Sequence, residues 1–212
     1  ADVTFTVDTT APAAPTIDTL PVVTAAGVDS VTIRGSAEPG ATISGTVGGL
    51  AVGPVTAGAA GAFSLTVDLS SLDDGAQDIS LTAQDALGNT SGAGTASVTL
   101  DTTAPSISDL TVADDNTIGV GEAASFAITG STEAGAQVVI TIDGVAQSAI
   151  TADADGNFDL AYTPDITPAD AQDFVVSAVA TDANGNAGPA ASVTGTTDFS
   201  ADAPVITSPA EG

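Results

Sequence analysis

The chain has 212 residues and sets 27 Asp and Glu against one basic residue, Arg34, for a formal net charge of -26. That excludes docking on nucleic-acid phosphates, which is driven by Lys and Arg, and the absence of Cys and His excludes disulfides, thiolate centres and soft-metal sites. Hydrophobic residues make up 43% of the chain, unlike charged disordered sequences, and no apolar run approaches the roughly 18 residues of a membrane-spanning helix.

In chain order, Val3, Phe5 and Val7 alternate with polar residues and predict a strand over 1–7. After Asp8-Thr9-Thr10-Ala11-Pro12, further strands are predicted at 15–20, 30–35, 41–47, 50–56, 62–68, 77–84 and 95–100. The period of two is plain in Val31 and Ile33, in Phe63, Leu65 and Val67, and in Ile79, Leu81 and Ala83. A second set follows at 106–112, 124–130, 137–143, 145–151, 157–162, 173–181 and 191–197. Gly48-Gly49 and Asp143-Gly144 are tight hairpin signals, and no window keeps a helical period. The chain reads as all-β.

Three signatures occur twice in the same order. Asp8-Thr9-Thr10-Ala11-Pro12 returns as Asp101-Thr102-Thr103-Ala104-Pro105, and Glu38-Pro39-Gly40-Ala41 as Glu133-Ala134-Gly135-Ala136. Asp85-Ala86-Leu87-Gly88-Asn89 returns as Asp182-Ala183-Asn184-Gly185-Asn186. A repeat of about 95 residues fits tandem immunoglobulin-like β-sandwiches of about seven strands each, arranged end to end. The expected division is 1–8 as the closing strand of a preceding module, 9–101 and 102–200 as two complete modules, and 201–212 as the opening strand of a following one.

The ordered set of Asp-Thr-Thr-Ala-Pro linker, Glu-Pro-Gly-Ala turn and Asp-x-x-Gly-Asn loop resembles the bacterial Ig-like repeats of giant, type I secreted surface adhesins. The resemblance covers nearly the whole chain. It implies an extracellular, non-catalytic extender segment whose modules are stiffened at their junctions by Ca²⁺ and project a distal binding domain in adhesion or biofilm formation. The first module departs from the second in one loop, with Ala59-Ala60-Gly61-Ala62 against Asp153-Ala154-Asp155-Gly156-Asn157. The third linker departs too, leaving both Asp198 and Asp202 as candidates for the linker role.

A location for the metal also follows from topology. In such a sandwich the chain enters at one end and leaves at the other. The loop between the second and third strands and the loop before the last strand lie at the incoming end. Glu38 and Asp85 are therefore expected beside Asp8, and Glu133 and Asp182 beside Asp101. Asp73 and Asp74, between the fifth and sixth strands, are expected at the outgoing end, facing Asp101. Oxygen-only sites suit Ca²⁺, which takes six to eight hard donors. The same residue types also make ordinary turns, in which a side chain bonds its own backbone. Asp153-Ala154-Asp155-Gly156-Asn157 is no EF-hand, because Gly falls at the fourth position and Pro164 at the twelfth, so a hairpin turn is expected there.

Nucleophilic catalysis in most forms needs His, Cys or Lys, and an aromatic-lined sugar cleft is poorly served by six Phe and one Tyr. No enzyme is expected. The expected partners are neighbouring modules of the same chain. Two alternatives are a filament or surface-layer subunit with lateral contacts between copies, and a Ca²⁺-dependent glycan-binding module.

Overall fold

The structure is a computed structural model that describes residues 7–163 and 172–200. It divides into two compact units, Ala1–Thr103 and Ala104–Gly212. The proposed strands over 1–7 and 201–212 lie, apart from Val7, outside the described residues.

Unit one holds β1 (Thr16–Ile17), β2 (Val23–Thr24), β3 (Val31–Ser36), β4 (Thr42–Val47), β5 (Leu50–Thr56), β6 (Ala62–Val67), β7 (Gly75–Gln84) and β8 (Gly94–Asp101). They form a three-stranded sheet, β1-β3-β6, and a five-stranded sheet, β2-β8-β7-β4-β5. Strand alternation supplies the core: Val31 and Ile33 are buried while Thr32 and Arg34 are exposed, and Ile79, Leu81 and Ala83 repeat the pattern on β7. Ile43 and Val47 on β4, Phe63 and Leu65 on β6, and Val98 and Leu100 on β8 complete the cluster. Leu69, from the loop after β6, is fully buried in the same core. Pro54, which has no N–H to donate, sits on β5, an edge strand where that loss is tolerated.

Unit two holds β9 (Ser108–Val112), a tight turn over Ala113–Asn116, β10 (Thr117–Ile118), β11 (Phe126–Ser131), β12 (Gln137–Ile142), β13 (Val145–Ala146), β14 (Ile150–Thr151), β15 (Asn157–Tyr162), β16 (Asp173–Thr181) and β17 (Ala191–Thr197). The sheets are β15-β11-β9 and β10-β17-β16-β12-β13, with β14 also on β12. The predicted strand over 145–151 is two short pieces, and the two-residue strands β2 and β10, each parallel to the last strand of its unit, add to the predicted set.

Both units use one packing device. Phe63 lies in register with Gly35, Phe158 with Gly130, and Phe174 with Gly195. A Cβ on Gly130 would stand 2.5 Å from the Phe158 ring, so the ring occupies the space a side chain would fill. Phe126, Tyr162 and Phe174 gather at one end of unit two, with Phe126 and Tyr162 edge to face at 5.5 Å. They border a cavity of about 330 Å³ whose two carboxylates, Asp143 and Asp173, already accept hydrogen bonds from Val175 N and Thr196 Oγ1.

Candidate metal-binding loops

In unit one Thr42 pairs with Gln84, so the loops carrying Glu38 and Asp85 leave the sheet at the same end. Asn89 Nδ2 donates to the Asp8 carbonyl at 3.2 Å, which ties the incoming segment to that end as well. At the opposite end Gly75 pairs with Leu100, bringing Asp73 and Asp74 beside the outgoing segment of the same unit. In unit two Gln137 pairs with Thr181, so Glu133 and Asp182 again share an end.

The Asp-x-x-Gly-Asn loops are locked by their own aspartates. Asp85 Oδ1 accepts from Leu87 N and Asn89 N, both at 2.8 Å, while Oδ2 accepts from Asn89 Nδ2 at 2.7 Å. Asp182 repeats this with Asn184 N, Asn186 N and Asn186 Nδ2 at 2.9, 2.8 and 2.7 Å. Gly88 and Gly185 have φ of 92° and 96°, a conformation that favours glycine and lets each loop close. The Asp153 loop has the same backbone pattern and forms the turn between β14 and β15. In unit one Gly58 stands in the Asp153 position and the backbone turn persists, with Gly58 N bonded to Ala62 O at 2.8 Å and Gly61 N to Gly58 O at 2.8 Å.

Asp74 behaves differently. Its Oδ1 accepts from Thr102 N and Thr102 Oγ1, both at 2.8 Å, and its Oδ2 from Thr103 N at 3.1 Å and Thr103 Oγ1 at 2.6 Å. A carboxylate offers about four acceptor sites, so Asp74 is fully engaged and fits poorly as a metal ligand. The donors to spare lie elsewhere. Among the described residues Glu38, Glu133 and Asp73 have exposed carboxylates without a side-chain hydrogen bond, and Oδ2 of Asp85 takes one bond only. All of these are hard oxygens, which fit Ca²⁺ in kind. Among the described residues, no group of three or more carboxylates is assembled closely enough to hold a metal ion.

One of the two candidates for the third linker lies within the described residues. Thr10 N donates to Asp8 Oδ1 at 2.9 Å, and Ser200 N donates to Asp198 Oδ1 at 3.0 Å, the same turn two residues on. Strand register puts Asp198 after Thr197 as Asp101 stands after Leu100, and Asp202 lies outside the described residues.

The hydrogen bonds also set the acid response. The Asn89 side-chain amide lowers the pKa of Asp85, the Asn186 amide lowers that of Asp182, and the Thr103 and then Thr102 hydroxyls lower that of Asp74, all from the ordinary value of 3.8. Carboxylates depressed on folding contribute stability that is complete above the unfolded value and lost as pH falls through the lower folded value. Relief of the net charge of -26 on acidification works the other way. The diagnostic is therefore a difference: Asp182→Asn should melt below wild type at neutral pH, and the gap should close as pH falls through the folded value of Asp182, which lies below its ordinary 3.8. Circular dichroism melts across that range measure it.

Two sandwiches with strands paired out of sequence order around separate cores define immunoglobulin-like modules in tandem. Residues 11–100 and 104–197 match the bacterial Ig domain family, and the chain belongs to that family. No curated protein sequence matches it. Among solved structures it is similar to a Ca²⁺-stabilized adhesin that helps an Antarctic bacterium reach out and bind ice, at 28% identity and a TM-score of 0.55 over 90% of this chain and 50% of that one. It is also similar to a 1.5-MDa bacterial ice-binding adhesin studied for host cell surface retention, at 26% identity and 0.55 over 90% of this chain and 66% of that one. The chain thus spans half of the first and about two thirds of the second.

Proposed function

We propose that the chain is a non-catalytic extender segment of a bacterial cell-surface adhesin, in which Ca²⁺ held near the module ends stiffens a longer array and projects a distal binding domain. The observation that carries this reading is the likeness over nine tenths of the chain to a Ca²⁺-stabilized adhesin. The acidic loops, with spare oxygens at the ends of the units, support it. On this reading the protein works outside the cell in adhesion or biofilm formation.

The residues that would hold the ion are Asp8, Glu38 and Asp85 at the incoming end of unit one, Asp73 and Asp101 at its outgoing end, and Glu133 and Asp182 at the incoming end of unit two. Bound Ca²⁺ would supply the positive charge and multiple oxygen coordination that a chain with one Arg and no Lys cannot. The chain's own residues hold the loops in shape: the Asp85 and Asp182 turns pre-form the backbone, leaving the glutamates free to reach a cation.

Isothermal titration calorimetry of the two-unit chain with CaCl2 tests the reading. Saturable heat is expected with Ca²⁺, and the double change Glu133→Gln, Asp182→Asn is expected to weaken it by about tenfold or more, since ligand charge count sets affinity in such sites. No heat with Ca²⁺ at millimolar concentration would overturn the metal assignment.

A further inference from the structure

The Asp74 arrangement does something a metal ligand would not. Asp74 ends the loop between β6 and β7, and the next residue, Gly75, already pairs with Leu100. That register brings the carboxylate to the two residues that follow β8, and both of its oxygens grip them through backbone and hydroxyl donors. The loop behind it is itself anchored. Leu69 is fully buried, Leu72 N bonds Leu69 O at 2.9 Å, and Gln77 Nε2 bonds the Asp73 carbonyl at 2.8 Å. Fixed loop, charged acceptor and four donors make a clamp from unit one onto its own outgoing segment. Hydrogen bonds to a charged acceptor are the strong ones of their kind.

Unit two carries a different sequence at the same register. Leu81 pairs with Gly94 and Ala178 with Ala191, so the position of Gly75 is taken by Gln172. The residue before Gln172 is Ala171, and Phe199-Ser200 stand where unit one has Thr102-Thr103. The Gln172 carbonyl instead receives Thr197 N at 3.0 Å, and Gln172 N donates to Thr197 Oγ1 at 3.0 Å, which holds the end of the last strand.

We propose that Asp74 is a positioning residue that fixes the direction in which the chain leaves unit one, through a metal-independent clamp on Thr102 and Thr103. The mechanical use of that clamp rests on the extender reading, but the clamp itself does not.

Amide hydrogen exchange followed by NMR on the two-unit chain in EDTA tests it. In the wild type the Thr102 and Thr103 amides should be protected. Asp74→Ala should speed both by about tenfold or more, while Val98 and Ile79 in the core stay unchanged. Should Asp74→Ala unfold unit one, the pair Thr102→Val and Thr103→Val keeps the carboxylate and removes two donors, and smaller increases at the same amides are expected. Unprotected Thr102 and Thr103 in the wild type, or protection unaffected by these changes, would overturn the clamp. Adding CaCl2 separates the two readings: protection that persists with no Ca²⁺ response anywhere leaves the clamp standing and removes the metal, whereas release of these two amides by Ca²⁺ makes Asp74 a ligand and overturns the clamp.

Discussion

Leu81→Ala is expected to lower the melting temperature of unit one by about 20 °C and to leave the transition of unit two in place. Leu81 is fully buried in the unit-one cluster, and its cross-strand partner is Gly45, which has no side chain to move into the space. A Leu→Ala change at such a site costs about 3–5 kcal/mol, transfer and cavity together, and one kcal/mol moves a unit of this size by roughly 4–8 °C. The two cores share no residue, so differential scanning calorimetry should resolve one shifted and one unshifted transition. A single shifted transition would mean that the units fold as one cooperative body.

Gly45→Ala should be nearly as damaging, at about 3 kcal/mol, although it adds only a methyl group. A Cβ there would lie 2.0 Å from the Ser80 carbonyl oxygen and 2.8 Å from Leu81 Cα. These are backbone atoms of the paired strand β7, so relief requires the central sheet to shift. In unit two the same pair is exchanged in size, with Ile140 opposite Ala178 in place of Gly45 opposite Leu81. Both arrangements fill the layer, but each backbone has settled around its own choice. Chemical denaturation of Gly45→Ala against wild type measures the cost, and a loss below about 1 kcal/mol would contradict the close approach, since overpacking a well-filled site typically costs 1–3 kcal/mol.

Alternation made the long strands legible. β3 to β7, β15 and β16 fall within a residue or two of where Val, Ile, Phe, Leu and Ala repeat every second position. Val23–Thr24 and Thr117–Ile118 were not legible, because two residues carry no period and their parallel pairing to the last strand is decided by packing. The insertion at Ala113–Asn116 was equally silent: Ala113, Asp114 and Asn116 take positive φ, which composition alone does not announce.

The acidic loops were legible as loops, and their place at the unit ends followed from topology. What each carboxylate bonds was not. Asp85 and Asp74 look alike in sequence, yet one closes its own turn and the other reaches Thr102 and Thr103 in a segment 28 and 29 residues on. Local spacing reveals the first kind of contact. The second depends on the register of β7 against β8, and the signal available was an Asp directly preceding a strand that pairs with the one ending in Asp101-Thr102-Thr103.

Small-angle X-ray scattering of the two-unit chain, in CaCl2 and again after chelation, tests the central claim most directly. Neutralising the acidic ends should suppress hinge motion, so the maximum dimension and radius of gyration should be larger with Ca²⁺ and contract when EDTA is added. Superimposable profiles in the two buffers, at matched ionic strength, would contradict a calcium-stiffened extender.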